Sequence, residues 1–161
     1  MGEENRVVGI AEIALSQSPQ RLVAYGLGSC VGVTLYDAKN QTGGMAHVML
    51  PSSKLHSTEA PPGKYADTAM SHLLAEMLKT GSLLRYLEAK VIGGANMFAS
   101  LTQSSVPIGL RNVSAVRQIL GEMGIPIVGE DVGGTHGRTV IFNLEDGRVE
   151  IRKLNLPPEY L

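Results

Sequence analysis

The only cysteine of the chain lies in a glycine-rich turn, a setting that suits a nucleophilic thiol. Cys30 follows Gly26-Leu27-Gly28-Ser29, where one apolar segment ends, and a second apolar segment begins at Val31. The two glycines let the backbone bend sharply and keep side chains away from the sulfur. With Gly28 and Ser29 supporting the turn, the N–H groups beside Cys30 could point at a substrate oxygen and form an oxyanion hole. The pattern favours covalent catalysis by Cys30. On composition alone, a buried structural cysteine fits equally well.

A thiol nucleophile needs a base to form the thiolate, and histidine is the usual one. His47 lies in an apolar strand that is separated from the Cys30 strand by one turn, so a meander connection would place the two side by side. Strand alternation puts His47 on one face with Met45 and Met49. An ionisable ring in so apolar a strand is costly unless something pairs with it. We therefore favour a Cys30–His47 pair over a satisfied core histidine.

The other three histidines fit this role less well. His72 falls on the polar side of a predicted helix, His56 lies in a Ser/Pro-rich loop, and His136 lies in a glycine-rich loop that could border an active site. That loop lacks the lysine of a P-loop and the glycine spacing of a dinucleotide site. No His/Cys/Asp/Glu cluster has metal-ligand spacing, and no G-x-S-x-G elbow is present. We predict neither a metal nor a cofactor.

Glycine clusters between short apolar runs predict many strands joined by tight turns. Strands are predicted at Arg6–Ala14, Arg21–Leu27, Val31–Tyr36, Met45–Leu50, Leu87–Ile92, Pro126–Val128, Arg138–Asn143 and Arg148–Lys153, the last two forming a hairpin around Asp146-Gly147. Helices are predicted at Lys64–Thr80, with the stripe Ala66, Ala69, Met70, Leu73, Leu74, Met77 and Leu78, and at about Gly109–Met123. The helices do not alternate regularly with strands. The expected fold is mixed α/β, with layered β-sheets and two main helices on one side.

Two further segments are assigned to the surface of this fold. Ser52–Gly63 is rich in serine and proline and is predicted to be a mobile surface loop. The tail Leu154–Leu161, with its pair of prolines, is expected to be extended and peripheral.

Composition bounds the class of protein. A chain of 161 residues, 43% of them hydrophobic, fits one domain over residues 1–161 with a substantial core. A net charge of -1 and the absence of tryptophan argue against nucleic-acid binding. A single cysteine is typical of a reducing compartment, and no apolar run is long enough to insert into a membrane. We expect a cytoplasmic protein.

Six segments, in this order along the chain, resemble the CheD family of chemoreceptor glutamine deamidases. They are Gly26–Val31, Gly44–Pro51, Lys64–Ala69, Ile92–Phe98, Ile108–Val113 and Glu130–Gly134. The resemblance extends from about Val7 to Lys153. Several spaced motifs over nearly the whole chain are far more specific than any one of them alone.

The resemblance implies hydrolysis of particular glutamine side-chain amides on methyl-accepting chemotaxis receptors, giving glutamate and ammonia. Hydrolysis of receptor glutamate methyl esters is implied for some members. By motif, the nucleophile carries over to Cys30 and the base to His47. The resemblance also implies a layered α/β fold similar to the catalytic domains of bacterial deamidating toxins, and a CheC-type phosphatase as a possible partner.

One position departs from the family pattern. The family has a threonine six residues before the cysteine, where it is thought to orient the histidine, and this chain has Ala24 there. A backbone carbonyl or a water could hold the ring instead, because the second imidazole nitrogen needs only an acceptor. The third catalytic position is thereby in question, whereas the Cys30–His47 pair is not.

Two other functions remain open from the sequence. The Ala24 departure leaves room for an adaptor that binds and regulates a CheC-type phosphatase with weak or no catalysis. A redox-sensing Cys30 would need no paired histidine. Candidate rim positions of a substrate groove are Asn96, Phe98, Arg111 and the Gly133–Arg138 loop. Each can equally be a turn, core or helix-capping residue, and for Phe98 we favour such a structural role.

Overall fold

The computed structural model describes residues 4–54, 59–98 and 106–161, and within them the strands form two five-stranded sheets. The strands are β1 Asn5–Val7, β2 Ile13–Gln17, β3 Arg21–Leu27, β4 Val31–Asp37, β5 Thr42–Val48, β6 Leu87–Gly93, β7 Ile127–Val132, β8 Arg138–Asn143, β9 Val149–Arg152 and β10 Glu159–Tyr160. The helices are α1 Ala66–Lys79 and α2 Ile108–Met123, with short 3-10 turns at Pro62–Lys64 and Leu84–Tyr86.

The structure has three layers. The inner sheet has the order β2-β5-β4-β6-β7, and the outer sheet has the order β1-β3-β8-β9-β10. On one face of the inner sheet, Val33, Ala46 and Val91 belong to the core that contains the buried faces of both helices. On the other face, Met45 and Ile92 belong to the core shared with the outer sheet. The predicted mixed α/β arrangement, with two helices on one side, is confirmed.

Helix α1 forms where the apolar stripe was predicted, and its buried residues are Ala66, Ala69, Met70, Leu73 and Met77. Leu78 is the exception in that stripe, because it is 43% exposed. It lies at the edge of the buried face, about 100° around the helix from Met77, the last fully buried residue of the stripe. His72 is exposed, as expected for the polar side of this helix.

Several strand predictions are confirmed at the level of pairing. The two segments on either side of Asp146-Gly147 form the antiparallel pair β8–β9. The Cys30 segment leads into β4, and the His47 segment forms β5. These two strands are adjacent and antiparallel. Strand β7 is longer than predicted and pairs in parallel with β6. Helix α2 lies in the crossover connection between these two strands. The tail contributes the edge strand β10, which pairs with β9.

The predicted single strand Arg6–Ala14 is wrong, because this stretch belongs to both sheets. Strand β1 pairs with β3 of the outer sheet, and β2 pairs with β5 of the inner sheet. The residues between them, Val8–Glu12, form what we call the crossing segment. Ala11 in this segment has a φ of 65°, a left-handed conformation that does not fit within a continuous strand. An apolar pattern does not reveal such a change of sheet, since the residues of β1 are exposed and only Ala14 of β2 is fully buried.

The region after β5 was predicted as a mobile loop over Ser52–Gly63. His56 and its neighbours at 55–58 lie outside the described residues. In the described residues that precede this stretch, the Ser53 N–H and hydroxyl donate to the carboxylate of Asp67 in the first turn of α1. Among the residues that the structure describes, no helix is both long enough and apolar enough to cross a membrane.

Candidate active site

Cys30 lies in the bend between β3 and β4, where its side chain is partly exposed. Strand β3 reaches this bend through a bulge between Ala24 and Leu27. Cys30 opens into a cleft of about 390 Å³. The residues that line this cleft are Gly26, Gly28, Ser29, Cys30, Ala95, Asn96, Met97, Phe98, Pro107, Ile108 and Gly109. The predicted turn positions Gly28 and Ser29 therefore lie at the cleft together with the thiol.

His47 lies in β5 directly opposite Gly32 of β4. Its neighbours Ala46 and Val48 face the helices, and Met45 faces the outer sheet. Strand alternation therefore directs His47 into the layer between the two sheets. The residue is 1% exposed. The predicted position of His47, on the same face as Met45 and on the strand next to the Cys30 segment, is confirmed.

The His47 ring is oriented by the crossing segment. Its Nδ1 lies 3.1 Å from the carbonyl oxygen of Val8. A carbonyl can only accept, so Nδ1 carries the proton and Nε2 keeps a free lone pair. The backbone on each side is held as well, because the Ala11 N–H donates to the His47 carbonyl and the His47 N–H donates to the Glu12 carbonyl.

This contact answers the question raised by Ala24, which is fully buried in β3. A backbone carbonyl contacts the ring, which is one of the two alternatives that the sequence leaves in the absence of a threonine hydroxyl. A backbone acceptor selects the same imidazole tautomer as a hydroxyl acceptor would.

The thiol and the free ring nitrogen lie in the same layer without a hydrogen bond between them. Cys30 packs against the core between the two sheets. It precedes Gly32, the strand partner of His47, by two residues, and strand alternation places positions 30 and 32 on the same face. Nε2 of His47 is buried and has no hydrogen-bond partner among the described residues. In enzymes without bound substrate, catalytic hydrogen bonds are often long and shorten in the substrate complex.

Burial governs the ionisation of both residues. It raises the pKa of the Cys30 thiol above its ordinary value. It lowers the pKa of His47, against opposing effects of the hydrogen bond to Val8 and the charge of Glu12. Both shifts favour a resting pair made of a neutral thiol and a neutral imidazole. Proton transfer is then expected to accompany attack on the substrate rather than to precede it.

The N-terminal end of α2 adds a favourable electrostatic environment at the cleft. Ile108 and Gly109, in the first turn of this 16-residue helix, line the cleft together with Cys30. The N–H groups of a first turn have no partners within the helix, and the helix dipole is positive at this end. Negative charge that develops near the sulfur is therefore stabilised.

Asn112 is a site residue that the sequence analysis did not identify. This fully buried residue of α2 donates from Nδ2 to the carbonyl oxygens of Ser29, at 2.9 Å, and Met49, at 3.0 Å. Its inward position among Gly109, Val113 and Val116 is the signal that could have revealed it. A polar residue on the apolar stripe of a helix needs buried partners.

The predicted rim residues separate into three groups. Asn96 and Phe98 line the cleft, and Phe98, for which a turn, core or helix-capping role was favoured, lies in a turn with 69% of its surface exposed. Arg111 is exposed on α2 and is not among the cleft residues. The loop Gly133–Arg138 contributes His136 and Arg138 to an adjoining cavity of about 570 Å³, which shares Gly26 and Met97 with the cleft.

That loop is fixed by one arginine. Arg138 donates to the carbonyls of Gly133 and His136 and forms an ion pair of 3.2 Å with Asp131. The Asn96 N–H in turn donates to the carbonyl of Gly134, which joins the loop to the wall of the cleft. Within the described part of the chain, no group of three or more His, Cys, Asp or Glu side chains is placed to hold a metal ion.

Comparison with known proteins adds three findings. Residues 49–153 match a family model described as CheD chemotactic sensory transduction. A protein of Clostridium novyi named probable chemoreceptor glutamine deamidase CheD is 46% identical over 157 residues, which cover 97% of each chain. Proteins of the same name from Moorella thermoacetica and Thermococcus kodakarensis are 47% and 40% identical, covering 93% and 92% of this chain and 91% and 92% of their own.

Proposed function

The chain belongs to the CheD family, and from this membership we infer that it is a chemoreceptor glutamine deamidase. It hydrolyses the side-chain amide of glutamine in a receptor, giving glutamate and ammonia. We further propose that Cys30 is the nucleophile and His47 the general base. The observation that carries this assignment is the contact between Nδ1 of His47 and the Val8 carbonyl, which leaves Nε2 as a lone-pair acceptor in the layer that Cys30 joins.

The first half of the reaction forms a thioester. Nε2 of His47 takes the proton from Cys30, and the sulfur attacks the side-chain carbonyl carbon of glutamine. The N–H groups of Ser29 and Cys30 stabilise the oxyanion of the tetrahedral intermediate. The intermediate collapses when protonated His47 gives its proton to the departing nitrogen, which leaves as ammonia.

The second half hydrolyses that thioester. Water enters the cleft, Nε2 of His47 takes one of its protons, and the resulting hydroxide attacks the thioester carbon. Collapse of the second tetrahedral intermediate breaks the carbon–sulfur bond. The sulfur recovers a proton from His47, and the product is the glutamate side chain. The same route would accept a glutamate methyl ester with methanol as the leaving group, and this esterase activity stays a prediction.

The geometry of the cleft supports a protein substrate rather than a small molecule. The cleft is bordered by exposed apolar side chains, because Met97 is 48% and Phe98 is 69% exposed. Exposed apolar side chains grouped at one site are characteristic of a surface that another protein covers. A glutamine presented on a receptor segment could enter between these residues and reach Cys30. The CheC-type partner and the cytoplasmic location predicted from the sequence stay predictions.

The direct test is deamidation of a glutamine-containing cytoplasmic fragment of a methyl-accepting chemotaxis receptor. We expect native protein to release ammonia and to convert defined glutamines to glutamates, seen by mass spectrometry of the peptides. Cys30→Ala and His47→Ala should each lower the rate by about 10⁴-fold or more, as is usual when a nucleophile or its base is removed. His72→Ala is the matched control, because His72 is exposed on α1.

Two outcomes would contradict this assignment. Retention of activity by Cys30→Ala would exclude the thiol as nucleophile. If native protein converted no glutamine but bound a CheC-type phosphatase tightly, the adaptor function would replace the enzymatic one.

A further inference from the structure

The three carbonyl groups around the nucleophile are all held by hydrogen bonds from outside the turn. The Gly28 carbonyl accepts from the Ala95 N–H at 2.8 Å, and the Cys30 carbonyl accepts from the Gly94 N–H at 2.9 Å. The carbonyl between them, that of Ser29, accepts from Nδ2 of Asn112 at 2.9 Å. Two of these donors are backbone N–H groups, which every residue except proline supplies. The third is a side chain that a substitution can remove.

Fixing a carbonyl also fixes the N–H group on the other side of the same peptide bond. The peptide unit is planar and trans, so its C=O and N–H point in opposite directions. The Gly28 carbonyl therefore sets the direction of the Ser29 N–H, and the Ser29 carbonyl sets the direction of the Cys30 N–H. These are the two groups assigned above to the oxyanion. Only the second depends on a side chain.

The orientation of the Asn112 amide follows from its surroundings. Its NH₂ group has two carbonyl acceptors, those of Ser29 and Met49. Rotating the amide by half a turn would place Oδ1 against both carbonyl oxygens, where no hydrogen bond could form. In the observed orientation, Oδ1 is buried and has no hydrogen-bond partner within the described part of the chain.

Packing alone does not require an amide at this position. The other inward residues of α2 include Val113, Val116 and Leu120, which bury only carbon atoms against the inner sheet. A buried amide oxygen without a partner lowers stability, and an apolar side chain of the same volume would avoid this cost. The amide is useful here for its two N–H donors. They connect the carbonyl of Ser29, just before Cys30, to the carbonyl of Met49, just after the end of β5.

We propose that Asn112 is a positioning residue that orients the Ser29–Cys30 peptide, so that the Cys30 N–H is ready to receive the oxyanion. The role rests on the proposed function, since it concerns the same reaction. Asn112 does not touch the substrate. It acts through the peptide bond, and its loss should slow the steps that create negative charge on a carbonyl oxygen.

The test compares two reactions of the same thiol. Deamidation passes through an oxyanion, whereas alkylation by iodoacetamide displaces iodide at a saturated carbon and forms none. We expect Asn112→Ala to lower kcat for the receptor fragment by about 100-fold, the lower end of the effect of losing one oxyanion-hole donor. KM and the rate of Cys30 alkylation should each stay within about threefold of native, because an oxyanion-hole donor acts in the transition state only.

Two further variants separate positioning from folding. Asn112→Leu keeps four side-chain heavy atoms branched at Cγ while removing both donors, so it leaves no cavity where Asn112→Ala would, and it should show the same loss of kcat. Val116→Ala is the matched control on the same helix face, because Val116 is fully buried and forms part of the core under α2. It should lower the melting temperature without lowering kcat.

The possible failures are distinguishable. Native protein that releases no ammonia from the fragment overturns the proposed function itself. If native protein is active and Asn112→Leu keeps its kcat, the positioning role is wrong. The role is also wrong if kcat and alkylation rate fall together in both Asn112 variants, because this pattern would show a general disturbance of the thiol.

Discussion

The surroundings of Cys30 and His47 differ in almost every respect. Cys30 lies in a bend, is partly exposed and opens into a cleft. His47 lies within a strand, is 1% exposed, and is bonded through its ring and both of its backbone polar groups to the crossing segment. In the proposed roles, Cys30 as nucleophile would have to meet a substrate that arrives from outside. His47 as base would only have to keep one tautomer and one orientation, and burial serves that purpose.

The difference indicates where substitutions will affect chemistry and where they will affect the fold. Around Cys30 the important groups are backbone N–H and C=O groups, whose positions matter within fractions of an ångström. Around His47 the important groups are packed and bonded in the interior, where removing a partner leaves an unpaired polar atom. Three predictions follow from this contrast.

The largest effect is expected from adding one methyl group beside the Cys30 backbone. Gly93 has a φ of 113°, and a Cβ there would lie 2.4 Å from the carbonyl oxygen of Cys30. Gly93→Ala should displace the turn and lower kcat/KM by about 100- to 1000-fold, because misplacing an oxyanion donor costs about as much as removing it. Activity on the receptor fragment is the measurement.

The matching change on the His47 side is Gly63→Ala. A Cβ at Gly63 would lie 2.3 Å from the carbonyl oxygen of Ala11 in the crossing segment. We expect a smaller loss of about 10-fold, since a shifted crossing segment weakens a contact of the base rather than one of the reacting groups. Gly121→Ala, with open space around the new methyl group, should leave activity unchanged. Equal losses at Gly63 and Gly93 would contradict the contrast.

The second prediction concerns stability. His47→Ala removes a buried ring and leaves the Val8 carbonyl without its donor, so it should lower the free energy of unfolding by about 2–4 kcal/mol. Cys30→Ala removes one partly exposed sulfur and should cost less than about 1 kcal/mol. Urea denaturation of the two inactive variants measures the difference. Similar losses of unfolding free energy would mean that Cys30 contributes as much to the stability of the core as His47 does.

The third and smallest effect is on the pH dependence of the free energy of unfolding, to which His47 and Cys30 are expected to contribute with opposite signs. The pKa of His47 is lowered in the folded state, so unfolded protein binds the proton more readily, and stability should fall as the pH drops below about 6.5. The pKa of Cys30 is raised in the folded state, so stability should fall as the pH rises above about 8.5, where the unfolded thiol ionises.

Two variants test which residue causes the loss of stability at acid pH and which causes the loss at alkaline pH. His47→Gln should reduce the acid-side loss of unfolding free energy, and Cys30→Ala should reduce the alkaline-side loss. Unchanged slopes in both variants would show that other groups dominate the profile.

Much of the fold was predictable because it depends on local patterns. Strands Arg21–Leu27 and Arg138–Asn143 were predicted with the bounds that the structure shows. Helix α1 differs from its prediction by one or two residues at each end. These elements bury one face each, and alternation or helical periodicity reports that directly. The β4–β5 meander followed in the same way, which placed His47 on the strand next to the one that begins directly after Cys30.

The parts that could not be predicted depend on contacts between distant residues. Val8 and Asn112 both complete the site, yet they are 22 residues before and 82 residues after Cys30 in the sequence. Val8 contributes only a backbone carbonyl, which no residue type encodes. Asn112 is visible as a polar residue on an apolar stripe, but its partners are carbonyls of Ser29 and Met49, which are known only once the chain is folded.

The crossing segment has a consequence for the order in which the protein becomes active. Val8 is held to the outer sheet by its N–H bond to the Val23 carbonyl, and its own carbonyl holds His47 in the inner sheet. A folding intermediate with only the inner sheet and helices would contain both Cys30 and His47, but its imidazole would be free to rotate. If His47 is the base, as proposed, it would be oriented only when the two sheets dock. Catalysis by this protein would thus report the completion of folding, and a partly assembled chain would spare its receptor.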